Sequence, residues 1–457
     1  MPPVFDFLRF DDIPRLARRN YAIELRHIVL WGLFANLVDG SFSSIVVAKT
    51  FQSPWLVPVV WATPMLAHLL SLVWGVLVRG RPKVRTFVLL ALGALVSAGS
   101  IAFTPSDWQP WGGWLFAAQI AAARIFMSGL VTVRTSIWKA NYPQSHRARI
   151  AGRIQTINAL LMLVMGGTVS LLFDQHAEYY RWVYPAIAAL GVLALVPLRR
   201  LRVRGEACEL RAHAERAGGA EAVGHGAQLR RGLAEAAGIL RHDRDFARYC
   251  SAQYLLGSAN LMVDPVLTIF LTQSAKLGYF TTYLLMDQIP MILAVLSIRY
   301  WAHLFDRVGV LRFRVFNGAW WLVSIVLAAT SLAVGLTAWP AALTAALGIL
   351  AVGRVVNGLG RGGGAIAWNL GHLHFAGEHD AELYLGIHVA LTGVRGIIMP
   401  FVGSAVYHVV GAPAMLIAVA LSIGSLLAFR RLAADEARAG DLTASSALRP
   451  HDPGGLS

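Results

Sequence analysis

The stretch Trp301-Ala302-His303-Leu304-Phe305-Asp306-Arg307-Val308-Gly309-Val310-Leu311-Arg312 is a charged turn between two long apolar runs. Trp74-Gly75-Val76-Leu77-Val78-Arg79-Gly80-Arg81-Pro82-Lys83-Val84-Arg85 holds the same position between apolar runs, with the same leading Trp and closing Arg, 227 residues earlier. Such a recurrence points to an internally duplicated chain, and a repeat decides an architecture before local propensities do.

Composition sets the class. The 457 residues alone would suit two or three soluble domains, but 56% hydrophobic with 14% charged residues describes a polytopic membrane protein. A formal charge of +15 raises nucleic acid as a partner, and the positions of the cations argue against it. On the segmentation below, only Lys49, Arg181 and Lys276 fall in loops of one side. The N-terminus, the 79–85 turn, the 139–153 loop and the central linker carry most of the rest. That is the positive-inside pattern, with both termini cytoplasmic and the chain in a bacterial cytoplasmic membrane. The Arg clusters flank membrane segments without an aromatic stacking platform, so no nucleic-acid partner is expected. Cys208 and Cys250 imply no disulfide framework. Asp6, Asp11 and Asp12 interrupt any cleavable signal, so the first apolar run reads as a mature helix.

Runs near the ~20 residues that cross about 30 Å of hydrocarbon fall at roughly 28–48, 56–78, 86–104, 112–136, 151–173 and 182–198, then at 246–272, 280–300, 313–335, 341–365, 382–408 and 411–430. The expected organisation is a cytoplasmic segment 1–27, a six-helix bundle 28–198, a linker 199–245 with short amphipathic helix, a second bundle 246–430 and a disordered tail 431–457. Short matches recur in order. Ala35-Asn36-Leu37-Val38-Asp39 answers Ala259-Asn260-Leu261-Met262-Val263-Asp264, Pro64-Met65-Leu66 answers Pro290-Met291-Ile292, and Arg124 with Trp138 answers Arg354 with Trp368, at offsets of 224 to 230. The runs and their ordered recurrence make the chain an all-α membrane protein, with twelve membrane helices in two pseudo-symmetric six-helix bundles.

Ala302-x-x-x-Asp306-Arg307-x-Gly309-x-x-Arg312 resembles the signature turn of the major facilitator superfamily, G-x-x-x-D-R-x-G-x-x-R, which joins the second and third helices of each half. In the first copy Arg79 stands where the signature has Asp. Arg354-Val355-Val356-Asn357-Gly358-Leu359-Gly360 resembles a second motif, R-x-x-q-G-x-G, found on helix 4 of proton-driven efflux members. Helix 4 of this chain keeps Arg124 and loses the rest. The resemblance implies a secondary transporter whose first and fourth helices in each half line a central cavity, acting as a monomer on a small solute without a cofactor.

Charges inside spanning helices cost roughly 2.5–3.5 kcal/mol at the centre, so each needs a partner or a wet cavity. Those present are Asp39, Arg124, Arg134, Asp264, Asp287, Arg354, Arg361 and Arg395. The duplicated positions pair Asp39 with Arg124 and Asp264 with Arg354, either as a proton relay or as static ion pairs that fix helix packing. Candidate solute contacts are Asn36, Asn158, Asn260, Gln288, Asn357, Arg395, Trp61 and Trp368. Arginines outnumber acids among the membrane charges, which favours an anionic or zwitterionic solute. The Gly358–Gly364 run suits close helix packing or solute approach, and it is no phosphate loop. His372, His374, His379 and His388 with Glu378, Asp380 and Glu382 form a solvated loop before helix 11, or a metal site of weak spacing; no metal is expected.

In the superfamily the signature Asp faces the start of the fifth helix of the opposite half, closing the cytoplasmic side. Carried over, Asp306 with Arg307, Gly309 and Arg312 faces Arg149 and Arg153, while Arg79 and Arg81 face Asp380 and Glu382, a charge-swapped second latch. The function expected is alternating-access transport coupled to protons. A solute sensor that has lost transport and a polytopic membrane enzyme are the alternatives, the latter needing clustered catalytic groups that the short outer loops do not supply.

Overall fold

In hydrocarbon every backbone N–H and C=O must be satisfied within its own segment or by protein neighbours, so apolar runs of this length become helices. A computed structural model describes residues 13–219, 225–376 and 381–447, and all regular structure among these is helical. The first span comprises Arg15–Asp39 and Phe42–Lys49; the next five are Val57–Leu77, Lys83–Gly99, Trp111–Asn141, Gln144–Gln175 and Tyr180–Leu195. The seventh is Arg244–Ile269, prolonged by a π segment over Phe270–Ser274. The eighth is Tyr279–Tyr283, a π segment Leu284–Gln288 and Ile289–Val308. Val310–Gly335, Ala342–Leu370, Ala381–Val410 and Met415–Ala447 complete the set. Eleven described helices are long and apolar enough to cross a membrane. The second span, at 21 residues, is ~31 Å long at 1.5 Å per residue and carries His68 as its single ionisable group.

The first span begins at Arg15, well before the apolar run expected from residue 28. Its leading turns are polar in sequence but satisfied in place. Glu24 accepts from Tyr142 Oη at 2.6 Å and from Trp138 Nε1, His27 Nδ1 donates to Ala194 O at 2.9 Å, and Asn20 donates to Arg202 O at 3.1 Å. The linker holds two helices, Glu206–Gly219 and His225–His242. The stretch expected as a disordered tail from 431 continues the last helix to Ala447, in keeping with its Ala, Arg and Glu content.

Spans 1 to 6 and 7 to 12 form the two bundles, with span 2 packed on span 11 and span 5 on span 8 between them. Without a hydrophobic force between helices, close approach decides where they meet, and small residues permit it. A Cβ on Gly396 would lie 2.1 Å from Met65, and one on Gly166 only 2.2 Å from the Tyr283 ring. The linker marks one end of the molecule: Arg204 N donates to Asn141 at 3.1 Å, and Lys83 N, at the start of span 3, donates to Glu206 at 2.6 Å. The duplicated turns lie at that same end, each with a glycine at positive φ, Gly80 at 67° and Gly309 at 74°. Gly309 closes the eighth span by donating from its N–H to Phe305 O at 3.2 Å, and its φ of 74° with ψ of 170° is a conformation that glycine adopts without strain.

Two glycines of span 10 test the packing rule. A Cβ on Gly363 would meet Asn317 at 2.6 Å and Trp301 at 2.7 Å, whereas Gly348 has nothing within 4 Å. Gly363→Leu is expected to destabilise the protein by about 1–3 kcal/mol, and Gly348→Leu to leave it unchanged. Thermal unfolding followed by tryptophan fluorescence separates them, and equal melting temperatures would contradict the packing.

Candidate functional site

One buried arginine ties each bundle together in the same way, Arg124 joining span 4 to spans 1 and 2, and Arg354 joining span 10 to spans 7 and 8. Arg124 donates from Nε to Val38 O at 2.9 Å, from Nη1 to Val60 O at 2.5 Å and Thr63 Oγ1 at 2.6 Å, and from Nη2 to Gly40 O at 3.2 Å. The carbonyls of Val38 and Gly40 are there because the first span breaks at Gly40, where the backbone is extended at φ −70° and ψ 177°. Arg354 donates from Nε to Leu285 O at 2.8 Å and from Nη2 to Met286 O at 2.5 Å, both in the π segment of span 8. Its Nη1 lies 3.2 Å from Asp264 Oδ1, and Arg361 Nη2 lies 3.7 Å from Asp264 Oδ2. A π segment frees carbonyls from the regular ladder, as a break does, and such bulges gather at functional sites.

The bundles meet at the end opposite the linker. Asp287 of span 8 is buried and accepts from the backbone N–H of Ser41 at 3.0 Å and from its hydroxyl. Beyond it, Lys49 Nζ donates to Leu277 O, Thr50 Oγ1 and Tyr279 Oη are 2.6 Å apart, and Asp174 accepts from the backbone N–H groups of Tyr279 and Phe280 at 2.5 and 3.0 Å. Gln288 donates to Leu163 O at 2.8 Å and Trp61 Nε1 to Thr268 Oγ1 at 3.3 Å.

Toward the linker a cavity of about 510 Å³ lies on spans 7, 8, 9, 10 and 11, reaching Met65 of span 2. Its charged lining consists of Arg314, Arg361 and Arg395, with no carboxylate among its lining residues, and Trp321 and Trp368 supply aromatic walls. Arg395 donates to Gln253 O and, at 3.2 Å, to Thr392 Oγ1. It passes against Gly257, where any Cβ would lie 2.0 Å from its Cζ. Arg314 donates to Tyr249 Oη at 2.8 Å and Ala367 O at 2.8 Å.

Of the residues singled out from the sequence, Asn260, Arg395 and Trp368 line this cavity. Asn36 donates to Asn158 O at 3.1 Å, linking spans 1 and 5, while Asn357 is buried in span 10. Trp61 and Gln288 lie at the bundle contact. Asp39, next to the break that Arg124 holds, is exposed. Asp306 and Arg79 are exposed, and neither makes an ion pair among the described residues. Arg149 and Arg153 lie in the first turns of span 5. Asp380 and the side chain of Glu382 lie outside the described residues, as do Glu378 and His379 of the His-rich loop. Among the described residues no three metal-ligating side chains gather. Asp287, one of the intramembrane charges visible in the sequence, has a role in the bundle contact that the sequence does not suggest, and Arg314 is a cavity cation absent from that set.

No protein-family model and no curated protein sequence matches the chain. Solved structures do. The nucleoside transporter NupG aligns with a TM-score of 0.59 at 14% identity, covering 92% of this chain and 99% of its own. A D-xylose-proton symporter aligns at 0.62 and 11% identity over 90% and 96%, and a POT family transporter in complex with 5-aminolevulinic acid at 0.59 and 12% over 91% and 95%. At such identities the likeness establishes the fold, and the chain is an integral membrane protein built as those are.

The contact between Asp287 and Ser41 is open to direct test. Hydrogen bonds to a charged group contribute about 1.5–3 kcal/mol each, so Asp287→Ala is expected to favour separation of the bundles opposite the linker by roughly tenfold or more. A cysteine placed at Ser44, in a background lacking Cys208 and Cys250, should then react faster with a membrane-impermeant maleimide. Unchanged labelling would remove Asp287 from the closure.

Proposed function

We propose that this chain, which has the major facilitator fold, is a secondary transporter of a small anionic solute, coupled to protons and working by alternating access. The observation that carries the reading is Asp264 held between Arg354 and Arg361, where Arg361 also lines the cavity. With two cations beside Asp264, a proton can take the place of one of them. A solute anion that engages Arg361 draws that cation from Asp264, so solute and proton load together. Asp39, beside the break that Arg124 holds, is the corresponding acid of the first bundle.

The solute class follows from the lining. Three arginines line the cavity, and of these only Arg361 has an acid beside it, so their net charge attracts an anion, two tryptophans suit a flat or apolar body, and the volume is that of a small-molecule site. Asn260, Asn36, Asn158, Asn357 and Trp368 add polar and aromatic contacts as the bundles rock. The similar structures include a D-xylose-proton symporter and a transporter in complex with 5-aminolevulinic acid, which supports a small solute and proton coupling. The distribution of cations supports a bacterial cytoplasmic membrane with linker and termini inside, so the conformation is inward-open. Closing it would bring Asp306, Arg307 and Arg312, on the turn shaped by Gly309, toward Arg149 and Arg153, and Arg79 with Arg81 toward Asp380 and Glu382.

Proteoliposomes with an internal pH dye, given a panel of small carboxylates and phosphates, are expected to acidify with one class of anion. Asp264→Asn should abolish acidification while the solute still raises the melting temperature, and Arg361→Gln should weaken binding about tenfold or more. Solute binding without flux in the unaltered protein would make it a sensor, and unchanged flux in both Asp39→Asn and Asp264→Asn would sink the relay.

A further inference from the structure

The duplicated turn is filled in one half and open in the other. In the second half Trp301 and Phe313 are buried and pack with Leu304, Phe305 and Val308 against Ile366 and Ala367 of span 10. Phe313 contacts Trp301 and Phe305 edge-on at 5.5 and 5.1 Å, and Trp301 Nε1 donates to Leu359 O of span 10 at 2.6 Å. The first half repeats the last of these bonds, Trp74 Nε1 donating to Ile125 O of span 4 at 3.1 Å. It does not repeat the filling. Shifted by 227, Phe305 becomes Val78, Phe313 becomes Thr86 and Val308 becomes Arg81. Two aromatic rings are lost and a cation is gained, and a groove of about 460 Å³ stands in their place between spans 2 and 3, with Phe126 of span 4 among its walls.

The groove has two chemistries. Its walls include Trp74, Leu77, Leu89 and Phe126, with Leu77 and Leu89 exposed on a membrane-spanning surface. Its other end carries Arg81 and Arg85. Span 2 ends at Leu77 and span 3 begins at Lys83, so the arginines sit at the membrane boundary and the apolar walls below it. Lys83, between them in sequence, is neutralised by Glu209 of the linker. Arg81 and Arg85 are exposed and make no ion pair among the described residues.

We propose that this groove is a binding site for one anionic phospholipid, its phosphate between Arg81 and Arg85 and one acyl chain against Trp74, Leu89 and Phe126. Charge complementarity selects the occupant: basic pockets between membrane helices hold anionic headgroups, and a lipid alone brings an anion and a hydrocarbon chain in the relative positions that the groove presents. Free phosphate leaves the apolar walls wet, and a zwitterionic lipid brings its own cation against the arginines. The lipid tethers the start of span 3 to the end of span 2, as the aromatic cluster of Phe305 and Phe313 does in the other half.

Native mass spectrometry of the full-length protein, purified in detergent and given equal amounts of phosphatidylglycerol and phosphatidylcholine, tests this. The unaltered chain should retain one phosphatidylglycerol in preference, undisturbed by millimolar inorganic phosphate. Arg81→Gln with Arg85→Gln should weaken retention roughly thirtyfold, while Arg430→Gln with Arg431→Gln, cations of the last span at the same end, should not. Val78→Phe with Thr86→Phe, which restores the filling of the second half and keeps both arginines, should expel the lipid. Should that variant not fold, Thr86→Leu alone serves, with weaker retention expected. Equal retention of phosphatidylcholine, displacement by phosphate, retention by the filled groove, or a dimer that only the filled variant dissolves would each overturn the proposal.

Discussion

The structure depends on two arginines buried where no water reaches their guanidinium groups. Taking such a charge out of water costs several kcal/mol after relaxation, and the cost is offset only when its donors find acceptors. Arg124 and Arg354 find them in carbonyls that a regular helix would keep for itself. The irregularities and the arginines therefore require each other. The break at Gly40 exposes Val38 and Gly40 to Arg124, and the π segment of span 8 offers Leu285 and Met286 to Arg354. Replacing either arginine would leave buried carbonyls without partners and two spans without their connection.

The same irregularities place the contacts that join the bundles. Ser41, the residue after the break, meets Asp287 at the end of the π segment, so one distortion in each half supplies one partner of the closure. A regular first span would carry Ser41 on around the helix, and a regular eighth would turn Asp287 elsewhere. Glycines set the approach: Gly166 and Gly167 admit Tyr283 and Gln288, so span 5 and span 8 touch through backbone and ring. Closure at one end and an arginine-lined cavity toward the other are thus two results of one arrangement.

Much of this was legible in the sequence where hydropathy and repetition speak together. Twelve spans, two halves and the meeting of Asp264 with Arg354 follow from apolar runs and a shared offset, because a spanning helix leaves its partners few places to lie. Hydropathy places the start of the first span too late because Asn20, Glu24 and His27 lower it, and their partners on Arg202, Tyr142 and Ala194 are remote in sequence. Arg124 was matched to Asp39 by symmetry, yet the acceptors it binds include the carbonyls on either side of that residue, which only the break makes available. Trp61 and Gln288 looked like cavity residues because their spans face the centre. Height along the span decides between cavity and closure, and composition does not report height.

The duplication is close in its frame and loose in its chemistry. Each half keeps the buried arginine and the indole of its second span bonded to a carbonyl of its fourth, and each turn has a glycine at positive φ, although Gly309 answers Pro82 and not Gly80 in sequence. What differs is charge. The second half gathers three arginines around a cavity, whereas the first carries arginines in its turn where the second has Asp306. Side chains that satisfy backbone are constrained by the fold, and side chains that meet solvent, solute or lipid are free to diverge. The divergence between the halves therefore marks the surfaces that meet something other than the protein itself.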